Sequence, residues 1–250
     1  MDHAENEDWT HIPAKGKRKT KFTALLNPTN PPARDLTLEK LNLEFQTKTK
    51  AYRQTTCRRT VTQILNRIRP DSGWKLDKAL CLGIGSLSRE NLECRKRSMW
   101  QFVVFCDLVE QMRGEGVELE VLAQEPGFTE LDVEFLDVLG VKVLETRLGD
   151  GTMGLGPAKE QLGEGTLVYE PFIDMNAVML EEMVSAGVGL YVGSSIGGIL
   201  GRRGENEASR LVEKFRAGRE MLRFPTFDVD PNVFDGIQVY WTEEKDDQDD

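Results

Sequence analysis

Histidine is nearly missing from this chain. The two present, His3 and His11, fall ahead of every segment with a regular apolar pattern. A Ser-His-Asp hydrolase is thereby excluded, because no imidazole is placed to take the serine proton. A zinc centre is disfavoured for the same reason, and no metal site is expected. Cysteine is scarce as well. Cys57, Cys81, Cys94 and Cys106 show neither CxxC spacing nor a dense framework. They read as free thiols of a reducing compartment, the cytosol or the nucleus. No apolar run approaches the roughly 20 residues of a membrane helix, so no membrane association is expected. The opening MDHAENEDWT is too acidic and polar for a secretory signal. GxxxxGK(S/T) is absent, which removes the standard P-loop.

What is present is an ordinary globular composition, 39% hydrophobic and 30% charged over 250 residues. The net charge of −10 is unevenly spread. Glu243 to Asp250 carries six acids against one lysine, half of the excess. That stretch, 243–250, reads as a solvated, disordered acidic tail. Residues 1–32 read as a disordered basic tail, with the cluster Lys15 to Lys19 followed by NPTNPP. Between them, residues 33–242 are expected to form one domain. The body is only mildly acidic, which argues against generic nucleic-acid binding. One stretch is basic: Gln46 to Pro70 holds seven Lys or Arg and no acid. Tyr52 is its only aromatic residue, too few to stack on bases, so it reads as the solvated face of an amphipathic helix.

That first helix is expected over about 36–69, stopped by Pro70. From Leu80 onward short apolar runs alternate with helical patterns. Strands are expected at Ala79–Leu82, Val117–Leu122, Val141–Leu144, Thr166–Tyr169, Val188–Val192, Met221–Phe224 and Ile237–Trp241. Helices are expected at Arg95–Met112, Thr129–Leu139, Asp174–Ala186 and Glu205–Ala217. Such alternation means βαβ units. The expected fold is α/β: a doubly wound, mostly parallel Rossmann-like sheet with helices on both faces, the last strand open to antiparallel pairing.

In such sheets ligands bind outside the carboxyl ends of the strands. Applied here, that rule gathers Gly83, Gly85 and Ser86 after the first strand and Gln124 and Glu125 after the second. Glu170 follows the fourth strand, and Gly193, Ser194, Ser195 and Gly197 the fifth. Strand, glycine turn and helix together present backbone N–H groups to an anion. Gly83-Ile84-Gly85 lacks the third glycine of the dinucleotide fingerprint, and Glu125 lies about forty residues on where about twenty is usual. Each residue also has a structural reading. Ser86 and Ser88 would cap the next helix. Glu170 would be a helix N-terminal charge favoured by the dipole, and Ser194 and Ser195 would cap or cradle. No cofactor is required by these residues.

Taken in order, the motifs resemble the SRR-like family (sensitivity to red light reduced). They are Trp9-Thr10 before the basic cluster, Leu82 to Ser86 with Ser98 and Gln101, and Glu125-Pro126 with Phe128, Glu130 and Leu139-Gly140. Val192 to Ile196 and Phe234-Asp235 before Val239-Tyr240-Trp241 complete the set, so the resemblance spans most of residues 9–241. It implies an intracellular regulatory protein, cytoplasmic and/or nuclear, acting through a protein partner or a small nucleotide-like ligand. It links the chain to circadian and light signalling, haem biosynthesis and microtubule-related processes, with no established reaction. Two positions depart from the family pattern. Glu170-Pro171-Phe172 stands where a Pro-His-Cys is common, and Ser194 where an asparagine is. The alternative reading is an S-adenosylmethionine-dependent methyltransferase-like or other nucleotide-binding enzyme.

Overall fold

The computed structural model describes residues 31–113, 118–146, 153–197 and 205–242. The expectations for the basic cluster and the acidic tail lie outside these residues. Two helices come first, α1 (Leu38–Tyr52) and α2 (Thr56–Ile68). Five parallel strands follow: β1 (Lys78–Leu82), β2 (Glu120–Gln124), β3 (Lys142–Val143), β4 (Thr166–Glu170) and β5 (Leu190–Ser194). Between them lie α3 (Leu92–Met112), α4 (Glu130–Val138), a short 3-10 helix (Gly156–Gln161) and α5 (Ala177–Ala186). Helix α6 (Glu205–Arg216) leads to β6 (Arg219–Arg223) and β7 (Ile237–Thr242).

The sheet order is β3-β2-β1-β4-β5-β7-β6. Strand β7 runs antiparallel to both of its neighbours, β5 and β6. The fold is therefore the expected mostly parallel α/β sheet, with one reversed strand. Both faces are covered. Ala79 and Cys81 of β1 join the core under α1 to α4, while Leu80 and Leu82 join the core under α5, α6 and the 3-10 helix. A strand buried on both faces carries apolar residues at every position, which is why KALCL reads as a continuous run rather than an alternation.

Helix α3 is buried all round, from Ser98 to Val109 without interruption. The sheet lies on one side of it and α1 on the other. Phe102 meets Phe45 of α1 at 5.6 Å and Phe135 of α4 at 5.9 Å between ring centroids.

The single helix expected over 36–69 is two. The chain breaks at Arg53 to Thr55, and α2 starts afresh with Thr55 as its cap, Oγ1 accepting the Arg58 N–H at 3.1 Å. The Asp228 carboxylate accepts the N–H groups of Thr56 and Cys57 at 3.0 and 3.2 Å. An anion at these first amides favours a helix start at that point. This acceptor comes from 172 residues away, so nothing local announces the break.

Candidate functional site

Two glycines build the turn after β1. Gly83 (φ +67°) and Gly85 (φ +74°) both lie in the left-handed region, which other residues adopt at a cost of roughly 1–2 kcal/mol. Space is short as well. A Cβ on Gly83 would stand 2.3 Å from Ile173 Cγ1, and one on Gly85 2.8 Å from Arg89 Nη2 and 2.9 Å from Ser98 Oγ. Strands β1 and β4 are neighbours whose onward connections leave to opposite sides of the sheet. The turn therefore stands at the topological switch point, where open α/β sheets form their ligand crevice.

Glu125 reaches the same turn from the end of β2. Its Oε2 accepts the Gly85 N–H at 2.9 Å and its Oε1 the Gly127 N–H at 2.7 Å. The forty-residue separation is absorbed largely by the 21-residue α3. The long spacing therefore does not keep the acid from the turn. It does change what the turn offers, because the Gly85 N–H is engaged by a carboxylate instead of facing a ligand anion.

Glu170, at the end of β4, is fully buried. Tyr191 Oη donates to it at 2.7 Å, the Ile173 N–H donates to it, and Ser194 approaches through its N–H at 3.4 Å and its hydroxyl at 3.5 Å. Burial pushes its pKa up to about 7, against the opposing pull of these donors. The helix-dipole role expected for Glu170 is corrected. Helix α5 begins only at Ala177 and is capped by Asn176, whose Oδ1 accepts the N–H groups of Val178 and Met179.

A family model of the SRR1 domain matches residues 45–241, most of the chain. The chain belongs to the SRR1 family. No curated protein matches it closely enough to count as a relative. Solved structures similar to this SRR1-family chain include an apo structure of CmcI, at 10% identity and TM-score 0.40 over 75% of this chain and 71% of that one. A putative O-methyltransferase from Klebsiella pneumoniae follows at 16% identity and TM-score 0.36, over 83% and 90%. The N-methyltransferase NodS from Bradyrhizobium japonicum WM9 gives 10% and 0.37, over 77% and 99%. At these TM-scores the likenesses carry no argument about function.

Within the SRR1 domain the candidate residues fall into two adjoining groups. Gly83, Gly85 and Glu125 form one; Glu170, Gly193 and Ser194 form the other. Ile173 joins them, its N–H on Glu170 and its side chain against Gly83. Gly193 is a strand residue rather than a turn, paired with Glu170 on one side and Gln238 on the other. A Cβ there would sit 2.5 Å from the Glu170 carbonyl oxygen. Ser195 stands apart, its N–H donating to the Gly236 carbonyl at 3.1 Å. Gln124 clamps the 3-10 helix, donating to the Leu155 carbonyl and accepting from the Ala158 N–H, each at 2.8 Å.

Ser86 and Ser88 do not cap α3, which corrects that expectation. Asn91 does, accepting the Cys94 N–H at 3.0 Å. The two serines are buried toward α4: Ser86 Oγ accepts the Ser88 N–H at 3.2 Å, and Ser88 and Thr129 hydroxyls meet at 2.6 Å. The chain cannot enter α3 at once because Ser88 and Arg89 first pair with Ala33 and Pro32. Ile173, Tyr191, Arg89 and Arg95 were not singled out by sequence reasoning. Only the arginines carried a signal, as cations just after the glycine turn. Among the described residues no group of three or more His, Cys, Asp or Glu is placed to hold a metal.

Proposed function

We propose that this SRR1-family protein is regulatory and acts by binding a ligand or partner at the carboxyl edge of the sheet. The observation that carries this reading is the engagement of both edge carboxylates. Glu125 is held by Gly85 and Gly127, and Glu170 by Tyr191, Ile173 and Ser194. Glu170 is closed off from solvent, and the neighbouring Ser194 hydroxyl is one of several donors directed at it. The family resemblance extends the reading to the cytoplasm and/or nucleus, and to light and circadian signalling, haem biosynthesis or microtubule-related processes. Turnover of a metabolite at enzyme-like rates by the purified protein would overturn it.

A second reading is a nucleotide-binding enzyme of the S-adenosylmethionine-dependent methyltransferase type. The position of Glu125 beside the switch-point turn favours it, since an acid there can accept ribose hydroxyls. Thermal shift with S-adenosylmethionine, S-adenosylhomocysteine, NAD, ATP and adenosine tests it. A ligand at a hundredfold its Kd adds about 2.7 kcal/mol, so an unmoved transition at millimolar ligand removes this reading.

A further inference from the structure

Two guanidinium groups beside the glycine turn each hold an Nε–H without an acceptor. Arg89 follows the turn and Arg95 lies near the start of α3, both half-buried. The Nε–H of each is closed off from solvent and has no hydrogen-bond partner. Neither arginine forms an ion pair with a described residue, whereas Arg53, Arg58 and Arg223 are matched by Glu110, Asp107 and Asp235. In a chain of net charge −10, two unmatched and partly desolvated cations at one place call for an explanation.

Their placement supplies one. Arg95 Nη1 donates to the Arg89 carbonyl at 3.2 Å, which ties the two residues together. Arg89 Nη2 and the buried Ser98 Oγ both lie within 3 Å of the point a Gly85 Cβ would occupy. Arg95 and Ser98 are three residues apart on one helix face. The Gly85 N–H is already given to Glu125, so any anion at this turn must be held by side chains. Guanidinium forks match phosphate oxygens through parallel charged hydrogen bonds, and a hydroxyl adds a further donor. We infer that Arg89, Arg95 and Ser98 form a site for the phosphate group of a small phosphorylated ligand lying against the Gly83–Gly85 turn. This rests on the reading of the carboxyl edge as the binding site.

The test is titration of the full chain with inorganic pyrophosphate, by calorimetry and 31P NMR at constant ionic strength. Wild type should bind saturably. Arg89→Gln should weaken binding on the order of 10- to 100-fold, and Arg89→Lys should fall between the two. Arg67→Gln, the same charge change on the exposed face of α2, should bind like wild type. Should Arg89→Gln fail to fold, the Lys variant and Ser98→Ala carry the comparison. Absence of saturable binding to wild type overturns the site, as does an equal loss in Arg67→Gln. Binding of adenosine without pyrophosphate overturns the phosphate site and leaves the edge reading standing. Binding of neither overturns the phosphate site together with the small-ligand form of the edge reading.

Discussion

A valine at position 85 would meet two obstacles at once: a left-handed backbone and a Cβ within 3 Å of Arg89 and Ser98. Gly85→Val should lower unfolding free energy by at least about 2 kcal/mol in urea denaturation. Near-wild-type stability would mean the turn is laid out differently. Glu170 makes a prediction in pH. Its folded pKa is raised from 4.5 to about 7. The folded state therefore holds the proton more tightly than the unfolded chain. Its contribution is full below pH 4.5 and is lost as pH rises through 7. Glu170→Gln cannot titrate. The stability of wild type relative to the variant should fall by about 3 kcal/mol between pH 4 and pH 8. A difference that stays constant with pH would contradict the assignment. The residue types at this edge were legible in the sequence; their partners were not. Glu170 meets Ser194 because β4 and β5 pair with Glu170 opposite Gly193. Register of that kind is set by the whole sheet, not by either segment.

At the scale of elements, helix starts are controlled from a distance. Thr55→Ala removes the α2 cap and should cost about 1 kcal/mol. Asp228→Ala should destabilise the same helix start. Because both changes act on the first turn of α2, the double variant should lose less than the sum of the singles. Additivity would show that the two caps act independently. Helix α3 depends on contacts from both sides. Phe102→Ala removes a ring packed against Phe45, Phe105 and Phe135 and should cost about 3–5 kcal/mol. Strands and helices were readable where apolar runs end at glycine, as at Leu82-Gly83 and Leu139-Gly140. The α1–α2 break was not, because Thr55 and Thr56 are compatible with a continuing helix and the deciding carboxylate, Asp228, lies beyond β6.

At the scale of the molecule, one apolar core runs from α1 and α2 through α3 and α4 onto β1, β2, β4, β5 and β7. The outer helices are thus bound to the sheet rather than resting on it. Tryptophan fluorescence and far-UV circular dichroism should report coincident denaturant transitions. An earlier fluorescence transition would mark α1 and α2 as a separately unfolding unit. The placement of β7 bears on how the protein is made. Among the described residues it is the last strand, yet it sits between β5 and β6. During translation, β6 has no partner and the apolar flank of β5 stays open until residues 237–242 have left the ribosome. The sheet cannot close progressively behind the growing chain; it closes only once β7 has been made. A stop codon before Ile237 would therefore do more than trim an edge. It would leave Leu190, Tyr191 and Val192 as an unpaired apolar border, a target for chaperones and a template for aggregation.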